Sequence, residues 1–92
     1  MNIDTQKQFL NLDGEPLIDE SQKPIIVGKV LANMVLGSKK DALRSFKLAQ
    51  EIYSATEVYA MKDSDKAYIV EAVNESPMPT IIKGQMLDLL KK

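Results

Sequence analysis

The chain has 92 residues, a formal net charge of −1, and 45% hydrophobic and 27% charged residues, a composition typical of one folded domain. It contains no Cys and no His, which excludes disulfides, thiol chemistry, nucleophile–histidine pairs and zinc sites of the Cys/His kind. The near-neutral charge argues against a protein devoted to non-specific nucleic-acid binding. We therefore predict a single domain over residues 1–92.

The first predicted element is a small β-hairpin around Asp13-Gly14. An Asp-Gly pair favours a type I′ turn, because both central residues of that turn need positive φ. Such a turn places Leu10 opposite Leu17. No internal repeat is apparent along the chain. The two strands are expected near residues 7–12 and 15–19.

The next predicted element is a helix over Pro24–Leu36, with Pro24 in its first turn. Its only polar strip is formed by Lys29 and Asn33, so it is apolar nearly all round. A helix of that kind is either a central core helix or part of a subunit interface. Gly28 within it costs about 1 kcal/mol relative to Ala, which suggests that another backbone comes close at this position.

A second helix is predicted over Lys39–Ser54, joined to the first by a tight link. Gly37 suits the left-handed position that ends a helix, and Ser38 with Asp41 has the pattern of a capping box. The two helices should form an αα-hairpin. The predicted inner face of the second helix carries Ala42, Phe46, Ala49 and Tyr53. The predicted outer face carries Lys40, Arg44, Lys47 and Glu51.

Three further elements complete the predicted layout. Thr56–Met61 is either a short strand, which would join the N-terminal hairpin, or an irregular link. A third helix follows the helix-start residues near Asp63 and ends near Asn74. After the turn at residues 76–79, a fourth helix runs to Leu90. The predicted class is α+β, mainly α, with an N-terminal hairpin followed by four short helices.

The apolar excess of the first helix leads to a hypothesis of self-association or of binding to another protein. A chain this short buries a modest fraction of its surface, and oligomerisation is a common remedy. Complete burial within one chain is the alternative, and exposure decides between the two. The candidate interface residues are Ile25, Ala32, Val35, Leu36 and, between two prolines, Met78.

No catalytic, cofactor-binding or metal site is predicted, and we do not expect an enzyme. The carboxylates at residues 13–20 surround an exposed turn and lack the ligand spacing of a calcium loop. An alternative function is nucleic-acid binding, because cations spaced along the second helix could follow a phosphate backbone. Glu51 continues the same face, which is also typical of an ordinary solvated helix. The candidate contacts are Lys39, Lys40, Arg44 and Lys47.

The segments LNLDGEPL and GKVLANMVLGS, followed by a capped second helix, resemble small proteins encoded by bacteriophages and prophages. The resemblance implies a phage accessory or assembly protein acting in the bacterial cytoplasm, with no site residues to carry over. The first residues lack the regions of a secretory signal, and the longest apolar run is too short to span a bilayer. We expect a cytoplasmic protein with no membrane contact.

Overall fold

The structure, a computed structural model, describes residues 1–91. The elements in chain order are β1 (Asn2–Asp4), α1 (Val27–Leu36), α2 (Ala42–Ser54), β2 (Val58–Ala60), α3 (Asp63–Glu75) and α4 (Thr80–Leu90). This confirms the predicted α+β, mainly α class with its four helices. β1 and β2 pair antiparallel, with Ile3 opposite Tyr59. The segment left open between strand and link is therefore a strand, and it pairs with residues 2–4.

α1 is the central helix of the core. Seven of its ten residues are buried. α1 packs mainly against α2 and also against α3, while α3 packs against α4. Phe9 from the N-terminal segment and Leu90 from α4 are also almost completely buried, and both belong to the same core cluster as α1. One helix is therefore surrounded by elements from the whole chain.

α1 begins later than the sequence predicts. Its N-cap is Ile26, and Pro24 lies before it in an isolated bridge with Ile18. The backbone N–H of Ile25 donates to the carbonyl of Leu17 at 2.9 Å, and the carbonyl of Ile25 accepts from the N–H of Phe9 at 3.1 Å. Because these backbone groups are satisfied by extended neighbours, the chain stays extended here and the first turn of the predicted helix does not form.

Gly28 confirms the predicted close approach of another backbone. Its N–H donates to the carbonyl of Thr5 at 2.9 Å. A Cβ at this position would lie 2.8 Å from the Cβ of Thr5. Real Cβ atoms do not come that close, so glycine lets the segment after β1 lie directly against the first turn of α1.

The link between α1 and α2 differs from the predicted capping scheme. Gly37 has a φ of −78°, so the prediction that it ends α1 in the left-handed conformation is wrong. The N-cap of α2 is Asp41, whose side chain accepts a hydrogen bond from the N–H of Arg44 at 3.1 Å. Asp ranks among the strongest N-cap residues. The predicted cap at Ser38 is therefore wrong, and residues 37–41 form a longer link.

The chain turns at Asp13-Gly14 as predicted, but the turn is not type I′, because Gly14 has a positive φ and Asp13 does not, and the register differs. Leu10 pairs with Pro16 and not with Leu17. The side-chain Oδ1 of Asn11 accepts hydrogen bonds from the N–H groups of Asp13 at 2.9 Å and Glu15 at 3.0 Å. This side-chain bridge replaces ladder hydrogen bonds, so isolated bridges stand where continuous strands were predicted.

The same turn occurs a second time, eight residues further along the chain. The Oδ1 of Asp19 accepts from the N–H groups of Ser21 at 2.8 Å and Lys23 at 3.0 Å. Gln22 has a φ of 63°, which corresponds to the φ of 85° at Gly14 in the first turn. The prediction of no internal repeat is therefore wrong. In the sequence, the repeat is visible as an eight-residue spacing between Asn11 and Asp19 and between Pro16 and Pro24. This pattern does not resemble a standard repeat.

Candidate interaction surface

The predicted interface residues do not form one exposed surface. Val35 is 0% exposed and Ala32 is 4% exposed, and both belong to the core of the chain itself. Ile25 and Met78 are partly buried and pack against that core. Among the predicted interface residues, Leu36 has a large apolar side chain that is exposed, at 52%. The prediction that Ala32 and Val35 lie at an interface is therefore wrong, because the other helices of the same chain already cover them.

α2 is turned relative to the predicted orientation. Its buried residues are Ser45, Leu48, Ala49 and Ile52, whereas the predicted inner face included Phe46 and Tyr53. The Ser45 hydroxyl is hydrogen-bonded to the hydroxyl of Tyr68 on α3, which holds this side of α2 inward. Leu48 and Ile52 supply the aliphatic part of the buried face. Both aromatic side chains of α2 consequently face outward.

The outer side of α2 and the end of α1 form an exposed apolar surface, which we call the open face. It consists of the apolar residues Leu36, Leu43, Phe46 and Tyr53 and of the polar Gln50 between them. Its large apolar side chains are 52% (Leu36), 63% (Leu43), 51% (Phe46) and 66% (Tyr53) exposed. On α2 the spacing is three, four and three residues, the spacing of a helix–helix seam. In the sequence this spacing marks an apolar side of α2, but it does not show whether that side is buried or exposed.

A groove runs along the open face between α1 and α2, with a volume of about 730 Å³. Ala32 and Ala49 lie at its base, where their small side chains leave space between the helices. Leu36, Phe46 and Tyr53 line it with large apolar side chains. Its polar lining is Asn33, Gln50, Glu51 and Ser54. The groove is therefore lined mainly by apolar side chains. Leu36, Phe46 and Tyr53, which line it, are themselves exposed.

The opposite side of α2 is bound to α3 by charge. Arg44 makes an ion pair with Asp65 at 3.1 Å and donates to the carbonyl of Ser64 at 3.2 Å. Its guanidinium lies 4.3 Å from the centre of the Tyr68 ring, a cation–π contact. These contacts fix which side of α2 faces α3. They therefore also fix which side faces away.

The four predicted nucleic-acid contacts do not form a free basic stripe. Lys40 pairs with Glu71, and the hydrogen bond to that carboxylate raises the pKa of Lys40. Arg44 is engaged with α3 as described. Lys39 and Lys47 are exposed, and within residues 1–91 no ion pair involves either of them. Two cations of the four are thus partly neutralised by α3.

Tyr59 is a buried residue of the core. Burial raises the pKa of Tyr59 to about 12. A strongly shifted pKa sometimes marks a functional site, but Tyr59 lies in β2 against the core and away from the groove. Among residues 1–91 there is no group of three or more acidic side chains placed to hold a metal ion.

Two observations complete the description of the surface and the chain. In the part of the chain that the structure describes, no helix is long and apolar enough to cross a membrane. No family model, no curated protein and no solved structure matches the chain significantly. The open face is therefore the feature from which function has to be argued.

Proposed function

We propose that this protein is a non-enzymatic interaction module that self-associates through the open face. The observation that carries the proposal is the exposure of Leu43, Phe46 and Tyr53 on one side of α2, beside Leu36. The largest contiguous apolar patch on a protein surface, typically about 300–600 Å², is often a functional site. The occupant we propose is a second copy of the same chain.

The size of the open face supports a modest interface. An aromatic side chain carries about 200 Å² of surface and a leucine somewhat less, so two of each that are roughly half exposed present on the order of 400 Å². A standard interface takes about 800 Å² from each partner. The apolar side chains alone supply about half of that area, and the groove and the flanking polar side chains add to it. We expect a dimer that forms and dissociates readily.

The chemistry of the surface also favours a protein partner over a nucleic acid. Base stacking on aromatic side chains would need cations beside them to hold the phosphates. Lys40 and Arg44 are instead paired with Glu71 and Asp65 of α3. A nucleic-acid function would therefore rest mainly on Lys39 and Lys47. Given the resemblance to small phage-encoded proteins, we place the proposed module in phage accessory or assembly work in the bacterial cytoplasm.

The test is the mass in solution, measured by sedimentation over a wide range of protein concentration. We expect the mass to rise from monomer to dimer. Phe46→Asp should keep the chain monomeric while its helical circular dichroism persists. The matched control is Leu12→Asp, because Leu12 is 97% exposed and lies away from the open face, in the first turn. A monomer at every concentration, or equal disruption by both variants, would contradict the proposal.

A further inference from the structure

We infer that the second copy docks with its α2 antiparallel to α2 of the first, about a two-fold axis near residue 48. This inference rests on the proposed function and deepens it by naming the geometry. It follows from the positions of the apolar residues and of one lysine–glutamate pair along a single helix. The resulting interface is isologous, so it closes at a dimer and does not continue into a filament.

The outward-facing positions of this strip on α2, three of them apolar and one occupied by Gln50, are spaced symmetrically along the helix. Leu43, Phe46, Gln50 and Tyr53 have their midpoint at residue 48. An antiparallel arrangement about that midpoint places Leu43 opposite Tyr53 of the second copy, twice in each dimer. It places Phe46 opposite Gln50 of the second copy, again twice. Leu43 and Tyr53 then meet apolar side chains of the second copy, while Phe46 meets the polar Gln50.

The charges at the edge of the strip distinguish the antiparallel from the parallel arrangement. Lys47 and Glu51 lie on one side of the strip, and Ala42 and Ala49 lie on the other. In an antiparallel pair, identical edges face each other, so Lys47 lies about 3 Å along the axis from Glu51 of the second copy. In a parallel pair, Lys47 would face the alanine edge and have no acidic partner. Charge complementarity therefore favours the antiparallel pair.

The groups needed for these contacts are available. Lys47 and Glu51 are exposed, and no ion pair within residues 1–91 involves either side chain. On the other edge, Ala42 is exposed and its small side chain permits close approach, since interaxial distances of helix pairs are about 8–10 Å. The half-exposed Leu36 of α1 lies at that edge and would extend the apolar contact.

Disulfide cross-linking tests the direction directly, because the chain has no Cys of its own. We would prepare Leu43→Cys with a mass tag and Tyr53→Cys without one, then oxidise each alone and both together. In the antiparallel dimer, two copies of position 43 lie about 15 Å apart along the axis. A disulfide needs Cα atoms about 4.4–6.8 Å apart. The mixture should therefore yield the cross-linked heterodimer, while each variant alone yields little dimer. Leu12→Cys serves as the control for random collision.

A charge exchange tests the same geometry without changing the apolar strip. Lys47→Glu alone and Glu51→Lys alone each place like charges across the interface, and each should weaken the dimer roughly tenfold. Mixing the two variants restores both attractive pairs, so a heterodimer should form in preference to either homodimer. The double variant, with both changes in one chain, should regain the dimer affinity of the original.

The outcomes separate this inference from the proposed function. A dimer that Phe46→Asp disrupts, combined with self-cross-linking of Leu43→Cys or Tyr53→Cys alone, overturns the antiparallel arrangement and leaves self-association intact. The same dimer with no preferred heterodimer between the charge variants also overturns it. A chain that is monomeric at all concentrations overturns both. Selective cross-linking in the mixture, together with charge rescue, supports both.

Discussion

α1 and α2 are the two helices of one αα-hairpin, yet α1 buries most of its apolar residues whereas α2 leaves several of its own exposed. α1 has seven buried residues out of ten, and its Val35 is completely covered. α2 buries Leu48 and Ile52 while leaving Phe46 and Tyr53 half or more exposed. The more apolar helix is thus the more fully covered, and the open apolar surface lies on its more polar neighbour.

The position of each helix in the fold explains this difference. α1 lies at the centre and receives α2 and α3 on its sides, while the segment after β1 meets it at Gly28. α2 lies at the margin of the domain, with one side against α1 and one bound to α3 through Arg44. A marginal helix with more apolar positions than one side requires must expose some of them. A patch of this kind indicates binding better than overall apolar content does.

The largest effect that tests this comparison is expected for Val35→Asp. A charge placed at a fully covered core position is costly enough to remove about 4 kcal/mol or more from the free energy of unfolding. That is a large part of the roughly 5–14 kcal/mol expected for a domain of this size. Thermal unfolding followed by circular dichroism should show a large fall in the midpoint temperature.

The matched control for Val35→Asp is Tyr53→Asp on the open face. It should change the free energy of unfolding of the monomer by less than about 0.5 kcal/mol, since Tyr53 is exposed. The opposite pattern, with a stable Val35→Asp chain that fails to self-associate, would place Val35 at the interface. That pattern would restore the interface predicted from the sequence.

A smaller effect is expected from two glycine substitutions that compare a covered helix with an open one. Gly28→Ala in α1 would put a Cβ 2.8 Å from the Cβ of Thr5 and should destabilise the fold by about 1–3 kcal/mol. Gly84→Ala in α4 meets nothing within 4 Å and should stabilise it by about 0.5–1 kcal/mol. Urea unfolding midpoints should shift in opposite directions. Equal shifts would mean that α1 is less closely covered than described.

Arg44→Ala tests the contacts that fix the orientation of α2. Loss of the ion pair to Asp65 and of the contact with the Tyr68 ring should cost about 1 kcal/mol. Lys47→Ala is the matched control on the same helix and should change the free energy of unfolding of the monomer by less than half of that. Urea denaturation at low protein concentration measures both. If the two variants unfold alike, the contacts of Arg44 do not determine which side of α2 is open.

The smallest effect is expected only at alkaline pH. It compares the buried Tyr59 with the exposed Tyr53. Burial raises the pKa of Tyr59 to about 12, above the ordinary value of 10.0. The raised pKa means that its stabilising contribution is complete below pH 10 and is lost as the pH rises to about 12. Tyr59→Phe should remove this part of the alkaline loss of stability, whereas Tyr53→Phe should leave it in place. Thermal melts between pH 9 and 12 measure the difference.

Much of the fold follows from local signals in the sequence. The apolar stretch that forms α1 predicted a helix, although it left open whether that helix belongs to the core or to a subunit interface. The proline-rich break before α4 predicted where that helix begins, and Gly28 predicted a close backbone contact. These features depend on residues that lie near each other in the chain. The predictions at Ser38 and Pro24 were wrong because each depended on which group forms a particular hydrogen bond. Asp41 caps α2 in place of Ser38. The backbone next to Pro24 is hydrogen-bonded to the extended segment near Leu17 and not within a helix.

The candidate surface was decided by tertiary structure alone. On α2, the arc with Phe46 and Tyr53 and the arc with Leu48 and Ile52 are both apolar enough to face a core, and they overlap at Ala49. Periodicity therefore could not choose between them. The choice depends on packing against α1 and on contacts with α3, which lie 21 residues apart in the chain for Arg44–Asp65 and 23 for Ser45–Tyr68. The sequence determined that α2 is amphipathic, and the neighbours of α2 determined which of its apolar sides stays open.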